Sequence, residues 1–117
     1  MSDDNCIFCS IARGDLPSKK VYEDEVMLAF HDLHPVAPVH FMVIPKLHIA
    51  SFAEVRPEHG EIFGRIMGQI PVMAREQGLT DGWRTVINTG RVGRQDVYHI
   101  HIHVIGGPNP LGPMIVR

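Results

Sequence analysis

The chain contains the run Tyr98-His99-Ile100-His101-Ile102-His103-Val104-Ile105-Gly106-Gly107, in which three of its eight histidines stand two residues apart. Aliphatic residues fill the gaps. Successive side chains of a strand point to opposite faces, so the spacing predicts His99, His101 and His103 on one face and Ile100, Ile102 and Val104 on the other. One face can enter a core while the other presents three imidazoles, the side chains that titrate near neutral pH. Three uses are open to such a row. It can be the polar side of a half-buried strand. It can supply metal ligands: adjacent members lie about 6.5–7 Å apart and can share a zinc, whereas the outer pair, about 13 Å apart, cannot easily do so. Or the central imidazole can act as a nucleophile, with its neighbours orienting it and handling protons.

A second constellation is Cys6-Ile7-Phe8-Cys9, which holds both cysteines of the chain. In a reducing compartment this spacing suits metal or redox chemistry rather than a structural disulfide. A thioredoxin-like role needs the pair after a strand of a βαβ unit, and its position ahead of any predicted strand argues against that. With His48 and one histidine of the triad, the two thiols can complete a closed Cys₂His₂ zinc site.

The triad and its surroundings resemble the histidine triad (HIT) family of nucleotide-binding hydrolases and transferases. Phe30-His31-Asp32-Leu33, Pro38-Val39-His40-Phe41, Val43-Ile44-Pro45-Lys46 with His48-Ile49, Val86-Ile87-Asn88 and Gln95-Asp96-Val97-Tyr98 are similar to family segments, in family order. Gly106-Gly107 resembles the Hint branch, the purine nucleoside phosphoramidases. The diadenosine-polyphosphate hydrolase branch usually has Pro-Arg there. Leu111-Gly112-Pro113-Met114 is similar to bacterial Hint members.

The resemblance implies that His101 attacks the α-phosphorus of an AMP or GMP conjugate, forming a nucleotidyl-imidazole that water resolves. The backbone carbonyl of His99 would fix its tautomer. His103, Asn88, Gln95 and backbone amides from Gly93 to Val97 would meet the phosphoryl group, Asp32 the ribose, and Ile7, Phe8, Ile11, Phe30 and Leu33 the purine. Asp96 stands where eukaryotic Hint proteins carry a serine, and Arg94 where they carry a glycine; assistance to leaving-group protonation is the expectation for Asp96. The resemblance also implies a structural zinc on Cys6, Cys9, His48 and His99, leaving His101 free. It implies no organic cofactor, and a homodimer formed through the main helix and the strand at residues 83–88. A dinucleoside polyphosphate hydrolase and a purine-nucleotide-binding regulatory module are the alternatives.

The elements that position these residues follow from periodicity. Ile7, Phe8 and Ile11 predict a short helix over residues 6–13, ended by Gly14-Asp15-Leu16-Pro17. Residues 21–23 and 26–30 predict a hairpin about Asp24-Glu25, and residues 40–44 a third strand ended by Pro45. Ser51 can cap a short turn. Pro57 opens the main helix, with Ile62, Phe63, Ile66, Met67, Ile70, Met73 and Ala74 at helical spacing, and Gly78 as its cap. Pro71 predicts a kink or an unpaired carbonyl in that helix. Residues 83–88 and 97–105 complete the strands. The expected fold is α+β and HIT-like: a five-stranded antiparallel sheet with one main helix and a short N-terminal helix, as one domain over residues 1–117.

At 117 residues, 44% hydrophobic and 21% charged, the chain can bury a real core. A net charge of −2 gives no electrostatic footprint for nucleic acid. No stretch approaches 18 apolar residues, so no membrane span is expected. The opening Ser2-Asp3-Asp4-Asn5 has no basic and apolar leader pattern, so a cytoplasmic protein is expected.

Overall fold

The structure, a computed structural model, describes residues 5–115; the acidic opening residues fall mostly outside that range. Its elements are α1 (Ile7–Arg13), β1 (Lys20–Glu23), β2 (Met27–His31), β3 (Val39–Pro45), α2 (Gly60–Glu76), β4 (Arg84–Val86) and β5 (Ile102–Gly106). The five strands form one antiparallel sheet in the order β1-β2-β3-β5-β4. No helix among the described residues is long and apolar enough to cross a membrane.

Both faces of the sheet are covered, and the strand sequences record it. Met27, Ala29, Phe41, Val43, Ile102 and Val104 pack with Ile66, Ile70, Met73 and Ala74 of α2. Leu28, Phe30, Met42 and Ile44, the alternate residues of the same strands, pack on the other face with Cys6, Phe8 and Cys9 around α1. Double coverage explains why β2 and β3 read as near-continuous apolar runs. In β5 the alternation survives: Ile102 and Val104 enter the α2 core, and His103 takes the opposite face.

Local chemistry sets the helix ends. Cys6 caps α1, its Sγ accepting the Cys9 N–H at 3.2 Å, so the first turn itself brings the two sulfurs to one end. α2 closes with Gly78 at φ +89°, the Gly78 N–H on the Arg75 carbonyl and the Leu79 N–H on the Ala74 carbonyl; Leu79 then packs into the core. Ser51 caps a one-turn 3₁₀ helix, Phe52–Glu54, as expected. Pro57 begins a separate 3₁₀ turn, Pro57–His59, which feeds α2 at Gly60. α2 runs unbroken through Pro71, whose ring lacks the N–H that would reach the Met67 carbonyl.

Two strand boundaries differ most from expectation. The histidine strand is Ile102–Gly106 rather than residues 97–105, so His99 and His101 precede it. The Ile100 N–H bonds the Ile49 carbonyl at 2.7 Å instead of entering a ladder. β4 is only three residues long. The Gly106-Gly107 pair has a packing cause: a Cβ on Gly106 would come 2.7 Å from Leu79 Cδ2, and one on Gly107 would press on the Pro38 ring at 3.0 Å.

Ile66 is fully buried between α2 and the sheet. Ile66→Ala is expected to cost about 2–5 kcal/mol through lost contacts and the cavity left behind. The check is a lower denaturant midpoint with an unchanged slope; a loss below about 1 kcal/mol would contradict the packing described.

Candidate active site and metal centre

The site grows from the break in the strand. Because the chain leaves the β-ladder before Ile102, His99 and His101 point to different destinations while remaining neighbours. His101 is 3% exposed, and its Nδ1 lies 2.9 Å from the His99 carbonyl oxygen. A carbonyl only accepts, so Nδ1 carries the proton and Nε2 keeps its lone pair. Phe8 presses edge-on against this ring, with centroids 5.1 Å apart and planes at 90°. The nucleophile-competent atom is thereby fixed in tautomer by a backbone group and in position by α1.

His103 takes its state from a chain of contacts. The Val36 N–H donates to His40 Nδ1 at 3.2 Å, so the neutral His40 ring carries its proton on Nε2. That proton is donated to His103 Nδ1 at 2.8 Å, which leaves His103 with an Nε2–H to offer. Burial holds His40 below its ordinary pKa against the pull of the Asp32 carboxylate. Burial, then the neighbouring His101 and His40 rings, lowers His103 to about 4. Both rings are neutral at neutral pH, and His103 stands one ring from His101 at 5.1 Å. His40 was given no role from the sequence. The signal was in register: His40 and Met42 share a face of β3, and Met42 pairs with His103.

Asp32 lies at the same end. Its Oδ1 accepts the His34 N–H at 2.8 Å, and its Oδ2 lies 3.4 Å from His40 Nε2. Asn88 donates to the Gly93 carbonyl at 2.9 Å and ties the strand end to the following loop. Gln95, expected at the phosphate, hydrogen-bonds within the protein here. It is buried, with its Nε2 donating to the Ala50 and Val97 carbonyls and its Oε1 accepting the Gly90 N–H; its amide is spent closing the loop. Arg94 is exposed and holds φ +62°, a conformation glycine adopts more cheaply.

Asp96 reaches further in than its sequence position suggested. Its Oδ1 accepts the Val97 N–H at 2.9 Å and lies 3.4 Å from His101 Nε2, although the side chain is 82% exposed. A carboxylate oxygen thus lies between a backbone donor and the free imidazole nitrogen. Among the residues expected at the base, Phe8 and Phe30 are buried and meet edge to face at 5.6 Å. Ile7 and Leu33 are exposed, at 52% and 84%, and Ile11 is half-buried, so only these three apolar side chains are open to a ligand.

The second constellation assembles as well. Cys6 Sγ, Cys9 Sγ, His48 Nδ1 and His99 Nδ1 all lie within 4.8 Å of one another. Three of the four sulfur–nitrogen separations are 3.2–3.4 Å, and the two nitrogens are 3.3 Å apart. A tetrahedral zinc, with Zn–N about 2.0–2.1 Å and Zn–S about 2.3 Å, requires nitrogens about 3.3–3.4 Å apart and N···S of about 3.5–3.6 Å. The donors fit to within a few tenths of an ångström. His99 Nε2 donates to the Pro45 carbonyl at 2.8 Å, which turns the Nδ1 lone pair into the cluster, and the Cys9 N–H on Cys6 Sγ is a further outer contact.

Comparison with known proteins agrees with this geometry. A family model described as "Scavenger mRNA decapping enzyme C-term binding" matches residues 5–113. A protein of Escherichia coli K12 named purine nucleoside phosphoramidase is 42% identical over 112 residues, covering 95% of this chain and 93% of that one. A histidine triad protein from Clostridium difficile superposes with a TM-score of 0.91 at 41% identity, covering 97% of this chain and 99% of that chain. A Zn-bound histidine triad family protein from Mycobacterium smegmatis gives a TM-score of 0.76 at 39% identity, covering 90% and 76%. The chain belongs to the histidine triad family of nucleotide hydrolases.

Burial of neutral His103 has a stability cost at acid pH. Its pKa is about 4 in the folded chain and 6.5 when unperturbed. Below about pH 6.5 the unfolded chain takes up a proton that the folded chain refuses, so stability falls as pH drops from about 6.5 toward about 4 and levels off beneath. Denaturant titrations at pH 6.5 and pH 5 are expected to give a lower midpoint at pH 5, and His103→Asn to shrink the difference. Equal wild-type midpoints would contradict a buried neutral ring.

Proposed function

We propose that the protein is a purine nucleoside phosphoramidase: it hydrolyses the P–N bond between the α-phosphate of AMP or GMP and an amine. The observation that carries this reading is the His101 Nδ1–H bond to the His99 carbonyl, which leaves Nε2 as an unprotonated nitrogen beside a backbone donor at Val97. The E. coli relative named as a phosphoramidase supports the reaction class, and the Gly106-Gly107 pair favours it over the polyphosphate hydrolases.

In this reading the nucleotide phosphate displaces the Asp96 carboxylate from the Val97 N–H. His101 Nε2 forms a bond to phosphorus as the P–N bond to the amine breaks. His103 Nε2–H donates to a phosphoryl oxygen as charge builds there. Water then attacks phosphorus, the P–N bond to His101 breaks, and the monophosphate leaves. As the first P–N bond breaks, Asp96 hands the departing amine a proton drawn from solvent, and the water that later attacks phosphorus returns one, so over both halves water supplies the hydroxyl that ends on phosphorus and the proton that ends on the amine. Asp32 accepts from ribose hydroxyls, and Ile7, Ile11 and Leu33 cover the base.

The same reading gives the Cys6, Cys9, His48 and His99 cluster a structural zinc. Zinc in a closed four-ligand site supplies folding energy rather than chemistry. Here it would pin α1, and with it Phe8, to the residue whose carbonyl orients His101. The unit is a homodimer. In support, β4 is a three-residue edge strand, and Gly60, Gly64 and Gly68 form an open stripe on α2 beside exposed Met67, allowing a second helix to approach closely.

Wild-type protein is expected to release AMP from adenosine 5′-phosphoramidate, and folded His101→Ala to lose the activity by at least about 10³-fold. Asp96→Ser should change the rate and its pH dependence; an unchanged profile removes Asp96 from the leaving-group step. AMP binding without turnover in the wild type would favour the regulatory module. Elemental analysis after chelator-free purification should find about one zinc per chain, and Cys9→Ser should lose it with a fall in Tm. Metal-free protein of unchanged Tm would sink the zinc assignment.

A further inference from the structure

Two consecutive carbonyls, those of Ile49 and Ala50, hold both ends of one segment. The Ile49 carbonyl accepts the Ile100 N–H at 2.7 Å, and the Ala50 carbonyl accepts from Gln95 Nε2 at 2.8 Å. Between these ties lie the Val97 N–H and the His99 carbonyl. The first meets Asp96 Oδ1, which is 3.4 Å from His101 Nε2, and the second fixes the tautomer of His101. The spacing between His101 and the Val97 donor is therefore held from one short piece of chain, residues 49–50.

One of the two ties is a side chain. Gln95 is 7% exposed. Its Nε2 donates to the Ala50 carbonyl and to the Val97 carbonyl, the latter at 2.9 Å, and its Oε1 accepts the Gly90 N–H at 2.9 Å. Both N–H groups of the amide are thereby engaged within the protein. Turning the amide over would set its oxygen against two carbonyls and its NH₂ against an N–H, so one orientation alone satisfies it. The backbone N–H of Gln95 bonds the Gly90 carbonyl at 3.0 Å, so the chain is pinned on both sides of Asp96. The loop behind it is tightly wound: Asn88 Nδ2 donates to the Gly93 carbonyl, and a Cβ on Gly93 would come 2.4 Å from the Thr89 carbonyl oxygen.

We propose that Gln95 is a positioning residue: it does not touch phosphate, but sets the Val97 N–H against His101 Nε2 by gripping the Ala50 and Val97 carbonyls. This inference rests on the phosphoramidase reading, in which that N–H meets the phosphoryl group. Its effect belongs in kcat. The ribose and base are held by other residues, so a displaced Val97 N–H leaves ground-state binding nearly intact while stabilising the transition state poorly.

Two measurements test it. In isotope-labelled wild type, AMP is titrated by NMR, with adenosine as the control for the base. The Val97 backbone amide is expected to shift with AMP beyond its shift with adenosine, and the Gln95 side-chain NH₂ pair to stay in place. Movement of that pair as large as the Val97 shift would make Gln95 a direct phosphate contact and overturn the proposal. In the second, Gln95→Met keeps the side chain's length and removes its hydrogen bonds. It is expected to lower kcat for adenosine 5′-phosphoramidate at least about tenfold with KM changed less than about twofold. An unchanged kcat, or a loss confined to KM, overturns the proposal. If Gln95→Met fails to fold, Gln95→Glu, which keeps an acceptor for Gly90 and loses the donors, takes its place with the same expectation. If wild type cleaves no phosphoramidate, the phosphoramidase reading falls, while the AMP titration, which needs no turnover, still decides whether Gln95 touches phosphate.

Discussion

The hydrogen bond from His101 Nδ1 to the His99 carbonyl is the constraint on which the rest of the site depends. It needs residues 99 and 101 outside a ladder, because a ladder would spend that carbonyl on a neighbouring strand. The chain meets the need by tying the Ile100 N–H to the Ile49 carbonyl and entering β5 only at Ile102. The isoleucine between the two histidines is fully buried, so the departure costs no apolar burial. One residue, His99, then serves twice: its backbone orients the ring of His101, and its own ring turns to the cysteines.

This double duty couples the two constellations through short covalent distances. α1 carries Cys6 and Cys9 at its first turn and Phe8 between them, and Phe8 touches both the His99 and His101 rings. The cysteine pair, a helix cap and the ring that packs on His101 thus belong to one seven-residue helix with its cap. So short a helix is marginal in isolation, and its order comes from what it packs on.

Much of this was legible in the sequence. The alternation of apolar and histidine residues identified the two faces, the β1–β2 hairpin and both helices followed from periodicity, and the Cys-x-x-Cys spacing offered a metal site whose full ligand set came from the family resemblance. What failed was the assumption that one alternating run is one strand: Ile102 to Gly106 is β5, but the Ile100 N–H and the Val97 and His99 carbonyls bond outside any ladder. The loop contacts of Gln95 were hidden for a related reason. Its partners include the Ala50 carbonyl, 45 residues away in sequence, and nothing local announces an amide that closes a loop. His40 was passed over because its importance lies in cross-strand register, which a single strand does not display.

The contacts at His40 also give the imidazole pair a polarity. The Val36 amide can only donate, so it writes the direction of both rings in turn, and His103 faces the pocket as a donor. Reversing that arrangement would require both tautomers to flip together and would strand the amide. The direction in which His103 offers its proton is therefore set by one peptide unit in a proline-flanked loop. The information passes without any net charge moving along the way.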